Sequence, residues 1–395
     1  MSEPHENSCT AQAWTAAIAA ALASLAALAM LRAGGALLAG DPATLYASID
    51  FNAAPFEDLL GPYWRTAASV LDGEAVPDRQ YLYPATLAVL LAPLTALGPG
   101  AGTAAAALSG ATTLAALLLA ALLASPARSA REAATFGVLA GAAFPLIHGV
   151  YWANAGAPCA TVALLGWVLA ARGDGRAGGA LIGVAAAVKL TPLLLVAGLA
   201  ACGRGRALRW AAGTFIALAI LLPLLVLGPD GFRAFHLAAR EQLHALVELT
   251  STPEGARGAQ DLRSFGIRLG LGSWGWALTL LGLAGWARWA IADIVRGRAA
   301  GGIWLLLVAV IVIRPCWAHG LAWLPAAWWF ARGGGPAARR LIALSMIAAS
   351  YPVSWLFETP TEFLRASGPL VAAGLAAAAL ALASGRAEPA QATQA

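Results

Sequence analysis

The chain has 395 residues, of which 60% are hydrophobic and 11% charged, with a mean hydropathy of +0.72. These values describe a multi-pass membrane protein and exclude a soluble enzyme. The formal net charge of +5 is spread over short breaks and gives no basis for nucleic-acid binding, and the four cysteines (Cys9, Cys159, Cys202, Cys316) are too dispersed for a disulfide framework or a thiolate metal site.

Met1 to Ala13 carries Glu3 and Glu6 and no basic residue. The apolar run that follows is too long for a signal-peptide core, so Trp14–Leu31 reads as an uncleaved first span. Apolar runs then recur almost without pause, near 14–38, 84–98, 101–124, 133–150, 155–171, 178–201, 207–228, 273–294, 301–314, 317–331, 341–357 and 367–384. Gly and Ala dominate many of them, as close helix packing in lipid favours. The pattern predicts an all-α polytopic membrane protein of about 11–12 segments in a single membrane domain, with outer-face loops carrying short amphipathic helices. Two stretches, Gly40–Leu82 and Pro229–Gly272, are long and polar enough to fold outside the bilayer. Glu358 to Glu362 forms a shorter acidic break, and the tail from Arg386 to Ala395 reads as disordered.

Arginines cluster in the breaks at Arg128/Arg131, Arg172/Arg176, Arg204/Arg206/Arg209, Arg296/Arg298, Arg332/Arg339/Arg340 and Arg386, which should face the cytoplasm. Gly40–Leu82 holds seven acids against Arg65 and Arg79 and should face outward. The alternation of sides closes only if two apolar segments do not simply cross. The candidates are the short run 84–98 and the 178–201 run, which has arginines at both ends.

The second of these runs contains the only lysine of the chain, Lys189, just before Thr191-Pro192. A cation at bilayer depth costs roughly 2.5–3.5 kcal/mol on insertion scales, which marks a functional site unless the side chain snorkels to an interface. A proline directly after it points to a broken helix lining a cavity. In the first outer stretch, Phe56, Leu59, Leu60, Tyr63 and Trp64 form the apolar face of a helix lying on the membrane, with Asp58 at its polar boundary. Tyr81-Leu82-Tyr83-Pro84 opens the next run, either as an interfacial aromatic belt or as part of a site. Asn154 either caps the helix after it or binds a ligand. Arg263 and Arg268 are placed to hold a phosphate or are solvated loop residues. Trp317 and His319 restart a span after Arg314-Pro315, where a histidine is a structural donor or part of a site. No Gly-rich phosphate loop, nucleophile elbow or zinc spacing is present.

Taken together these segments resemble glycosyltransferase family 87, the polyprenyl-phosphate-mannose-dependent mannosyltransferases of the GT-C superfamily. The matching pieces are Asp58-Leu59-Leu60-Gly61-Pro62-Tyr63-Trp64-Arg65, then Asp72-Gly73, then Tyr83-Pro84 with Ala85 in place of a second proline. They continue with Arg172-Gly173-Asp174-Gly175-Arg176 through Lys189-Leu190-Thr191-Pro192, and with Trp317 and His319, where Gly320 replaces a second histidine. A Gly-Gln-x-Asn turn is kept only as Asn154-Ala155-Gly156, and an Asn-Gln-Ser motif reads Ala259-Gln260-Asp261. The resemblance covers roughly residues 40–330.

The resemblance implies a GT-C-type helical bundle that moves a sugar, mannose first among the options, from a polyprenyl phosphate to a hydroxyl of a lipid or glycan acceptor, with inversion, at the outer face of the plasma membrane. It implies Asp58 as general base, with Glu57 or Asp50 as substitutes. Lys189, Arg263, Arg268 and His319 would hold the leaving phosphate, and Tyr63, Trp64, Tyr83, Asn154, Gln260 and Trp317 would line the substrates. Neither a metal nor another cofactor is called for. The competing expectation is a transporter or flippase of lipid-linked sugars, which would more naturally show internal repeats with matched broken segments.

Overall fold

Prolines, glycines and arginines punctuate this apolar sequence, and the helix ends fall on them. The computed structural model describes residues 12–27, 55–74, 76–252, 256, 259–313, 316–349 and 362–384, without the side chains of 273 and 362–366. The expectations for Asp50, Arg314-Pro315, Glu358 and the tail lie outside the described residues. Within them every regular element is helical. The order is α1 Gln12–Ala27, a π-turn Leu59–Tyr63 running into α2 Trp64–Leu71, α3 Ala85–Thr95, α4 Pro99–Ala124, α5 Ala130–Gly141, α6 Phe144–Trp152, α7 Gly156–Ala171, α8 Gly175–Val188 and α9 Leu193–Ala201. Then come α10 Gly205–Ile216, α11 Leu222–Leu249, α12 Leu262–Arg268, α13 Gly275–Val295, α14 Ala299–Val312, α15 Leu324–Ala331, α16 Pro336–Ala348 and α17 Glu362–Ser384. Proline sits in the first turn of α4, α6, α11, α15 and α16, where its missing N–H has no helical partner to lose. The protein is an all-α polytopic membrane protein. Among the described residues four stretches, Pro99–Ala124, Gly205–Leu249, Gly275–Val295 and Ser367–Ser384, are long and apolar enough to cross a membrane.

Three of the apolar runs are each divided between two α-helices. The 133–150 run breaks between α5 and α6 because the N–H of Phe144 donates to the carbonyl of Ala349 (2.8 Å) instead of continuing the helix. The 207–228 run passes from α10 through a π-turn, Ala217–Leu221, into α11. That helix bends at Gly228 (φ 68°, ψ 171°) and continues to Leu249, so the first half of the expected Pro229–Gly272 loop is helical. The left-handed φ at Gly228 suits glycine, and Pro229 begins the second half without needing an N–H bond.

The third is the lysine segment. Pro192 has no N–H to continue α8, and Lys189 ends that helix in an extended conformation (φ −140°, ψ 128°). Helix α9 then turns back. Gly198 on α9 abuts Trp167, whose Nε1 donates to the carbonyl of Arg298 (2.8 Å) at the start of α14. Arg204, just past α9, donates to the carbonyls of Ala170, Ala171 and Gly297 at the ends of α7 and α13. Gly175, the first residue of α8, lies against Ala207 near the start of α10. Both ends of the Gly175–Ala201 segment therefore lie at one end of the bundle, with Lys189 at the tip of a re-entrant hairpin. The other short run becomes α3, which packs on α2 and leads into α4, whose Gly102 lies against Leu60 and Trp64.

Arginines close the helix ends opposite Lys189 by taking carbonyls that have no helical partner. Arg172 reaches the carbonyl of Leu123 (2.8 Å). Arg332 reaches those of Ser125 (3.2 Å) and Pro126 (2.9 Å) and pairs with Glu132 (3.0 Å). At the same end the buried Asp293 accepts from Arg298 (3.2 Å), the Trp304 indole (2.9 Å) and Ser384 (3.0 Å).

Helices α8 and α10 run side by side through glycine. A Cβ at Gly183 would lie 2.6 Å from the carbonyl oxygen of Ala211, and one at Gly179 would come closer still to the carbonyl oxygen of Ala207. Gly179→Leu is therefore expected to force the helices apart and to cost about 3 kcal/mol or more, since the obstacle is backbone. A thermal midpoint in detergent equal to that of the parent would contradict this.

Candidate active site

At the end of the bundle away from the arginines, three distant segments meet on one amide. The first is held by Phe56, which adopts a left-handed conformation (φ 67°) unusual for a non-glycine residue. Its N–H donates to the carbonyl of Tyr151 (2.7 Å), and its own carbonyl accepts from Leu59 (3.1 Å) and Leu60 (2.8 Å). The turn so formed carries Asp58, and the irregular Gly61-Pro62 step places Tyr63 beside it. The second segment is the α6–α7 corner. Ala153 is left-handed (φ 48°) and ends α6, which leaves Asn154 pointing into the bundle with 6% exposure. The third is Tyr83, held out of α3 by Pro84.

Asn154 makes all four hydrogen bonds its amide allows. The Gly156 N–H (2.7 Å) can only donate, so the atom it meets is the amide oxygen, and Tyr83 OH (2.9 Å) donates to the same oxygen. The amide nitrogen then donates to Asp58 Oδ2 (2.6 Å) and to Tyr63 OH (3.1 Å). Asp58 Oδ1 has no hydrogen-bond partner among the described residues. Burial, only partly offset by the Asn154 bond and the Lys189 charge, pushes Asp58 up to about 6 from its ordinary 3.8. A neutral partner leaves the carboxylate its basicity, whereas a salt bridge would remove it.

Lys189 stands behind Tyr83, with Nζ 5.4 Å from the ring centroid. It forms no ion pair among the described residues. A Cβ at Gly156 would lie 2.5 Å from Lys189 Nζ, 2.8 Å from Asn154 Oδ1 and 3.0 Å from His319 Cδ2, so glycine alone allows these three groups to converge. Lys189, Thr191 and Pro192 border a cavity of about 40 Å³, completed by Cys159, Cys316, Gly320 and the apolar face of α14 from Leu306 to Ile313. His319 is 4% exposed, its Nδ1 lacks a hydrogen-bond partner among the described residues, and its ring stacks on His148 (5.7 Å, 24°).

Asp58, Tyr63, Tyr83, Asn154, Lys189 and His319 thus come together. The remaining expected residues make other contacts in the structure. Arg268 donates through Nη1 to the carbonyls of Ala256 (2.5 Å) and Ala259 (2.6 Å) and through Nε to Ser367 (3.3 Å), so it straps a loop to α17. Gln260, 3% exposed, joins that loop to Cys316 through its N–H (2.5 Å) and to Leu370 through its Oε1 (3.2 Å). Arg263 packs its backbone against Gly275, Trp64 packs against Gly102, and Trp317 precedes the short turn Ala318–Leu321. His148 and Gly156 were not singled out in the sequence. Phe144, His148 and Trp152 repeat every four residues along one face of α6, which was the available signal for the histidine.

These features define a polytopic helical membrane protein with a polar centre at one end of its bundle. The pattern of glycosyltransferase family 87 matches residues 81–357, and the chain belongs to that family. It is a membrane glycosyltransferase. No curated protein and no solved structure matches it. Tyr83, Asn154, Lys189 and His319 lie within the matched residues, whereas Asp58 and Tyr63 precede them.

Proposed function

We propose that the protein transfers a sugar, with mannose to be tested first, from a polyprenyl phosphate to a hydroxyl of a lipid or glycan acceptor. The observation that carries this reading is a basic carboxylate joined through Asn154 to Tyr83, whose ring lies beside a cation that has no carboxylate partner among the described residues and borders an apolar cavity. Asp58 Oδ1 takes the acceptor hydroxyl proton as its oxygen attacks the anomeric carbon. The bond from that carbon to the phosphate oxygen breaks on the opposite face, so the configuration inverts. A positioned base contributes typically 10²–10⁴-fold. Lys189 stabilises the charge that develops on the departing phosphate, in a cavity where water does not screen it. His319 offers its open Nδ1 to the phosphate or the sugar. The apolar lining beside Lys189 suits a donor that carries a prenyl chain. The arginine-rich end of the bundle faces the cytoplasm, which puts the site on the outer side of the plasma membrane.

The test is transfer of label from polyprenyl-phosphate mannose by the purified protein in detergent. A covalent glycolipid or glycan product supports the reading. Movement of donor between leaflets without product supports a transporter instead.

A further inference from the structure

We propose that Tyr83 is a positioning residue that joins the two halves of the reaction: its hydroxyl fixes the Asn154 amide that aims Asp58, and its ring carries the Lys189 ammonium. The inference rests on the roles given above to Asp58 and Lys189.

The sequence first makes Tyr83 immobile. It precedes Pro84, which disfavours the helical conformation for it and keeps it outside α3. Its ring then packs edge-on against Tyr63 (4.9 Å, 72°) and Tyr81 (6.0 Å, 66°). Tyr81 is itself held by its hydroxyl, which donates to the carbonyl of Pro84 (2.8 Å) and accepts from the N–H of Ala88 (3.0 Å). Phe235 of α11 closes the far side of Tyr81 (5.6 Å, 84°). A ring so enclosed holds whatever its two ends touch.

Its polarity is equally constrained. The Gly156 N–H identifies Oδ1 of Asn154 as the acceptor, so the Tyr83 hydroxyl must donate there. Both amide hydrogens are then committed to Asp58 and Tyr63. Without the Tyr83 hydroxyl, one Oδ1 site is left unfilled inside the protein and the amide loses one of the two bonds that set its rotation. Phenylalanine would keep the ring under Lys189 and remove the hydroxyl, with its bond to Asn154 and its contacts to Tyr63 and Lys189. The variant therefore separates an action through Asn154 from a role as wall of the donor cavity.

The experiment measures initial rates of transfer from radiolabelled polyprenyl-phosphate mannose to the lipid extract of membranes carrying the overexpressed full chain. Tyr83→Phe is expected to lower the maximal rate about 10- to 100-fold, as loss of a residue that orients a reacting group does. The donor concentration at half-maximal rate should stay within about threefold. Asn154→Ala should be slow as well, and the double variant should be no slower than the slower single, because both act on one amide. Tyr63→Phe leaves both Oδ1 bonds in place and should slow the reaction less than Tyr83→Phe. An unchanged maximal rate in Tyr83→Phe, a change confined to donor saturation, losses that multiply in the double variant, or an equal loss in Tyr63→Phe would each overturn the assignment. Asp58→Asn run in parallel distinguishes failure of the underlying reading. Full rate in that variant removes the base, and the role of Tyr83 falls with it.

Discussion

Asp58→Asn is expected to give a protein that folds, binds donor and transfers no sugar above about 10⁻² to 10⁻⁴ of the parent rate. Asparagine has the shape of aspartate and can still accept from Asn154 Nδ2, now 2.6 Å from Asp58 Oδ2, but its amide does not take a proton at neutral pH. The stability of the variant carries a second expectation with a definite sign. The folded chain holds the Asp58 proton up to about 6, while the unfolded chain releases it near 3.8. Ionisation therefore penalises the folded state increasingly between about pH 4 and pH 6, and fully above that range. Removing the carboxylate should raise the thermal midpoint at pH 8, with the gain shrinking as the pH falls towards 4. A variant that is both inactive and less stable at pH 8 would instead indicate a structural role for Asp58.

Lys189→Met should lower the transfer rate by roughly 10²–10³-fold, the usual effect of removing one group that stabilises developing negative charge. Methionine keeps an unbranched chain of similar length, so the hairpin tip retains its packing. The pH profile gives an independent check. The positive charge of Lys189 pulls Asp58 down from the value burial alone would give. Asp58 must be deprotonated to act, so without the lysine the acid limb of kcat/KM should move to higher pH. Lys189→Arg should not restore activity, because the space around Nζ is so close that even a Cβ at Gly156 would lie 2.5 Å away, and a planar guanidinium is wider than an ammonium. Full rate with an unshifted acid limb in the methionine variant would remove Lys189 from the mechanism.

What could be read in advance was chemistry that local sequence encodes. Pro192 ends α8 by lacking an N–H, so the break at Lys189 was visible as Lys-x-x-Pro. The arginine clusters marked one end of the bundle because cations gather where helix carbonyls end. The Asn154 centre was not legible, because its partners lie 96, 91 and 71 residues away and only folding brings Asp58, Tyr63 and Tyr83 to one amide. The loop contacts of Gln260 and Arg268 were hidden for a related reason. A buried amide or guanidinium that satisfies loop carbonyls is indistinguishable in sequence from one that faces a substrate. What Pro229 hid is the continuity of α11, since a proline that signals a break in sequence is tolerated in the first turn of a helix segment.

The hairpin at Lys189 also constrains how the protein is made. Its arms have 14 and 9 residues, and a span needs about 20. Neither arm can enter a bilayer as an independent unit, and the lysine at the tip adds a further barrier. The neighbours that shelter it are α7, synthesised before it, and α10 and α14, synthesised after it. Insertion of the hairpin must therefore wait until chain beyond Ala201 has emerged. A chain truncated after Cys202 and released from the ribosome into membranes should leave this stretch open to protease, and one extended through α14 should protect it.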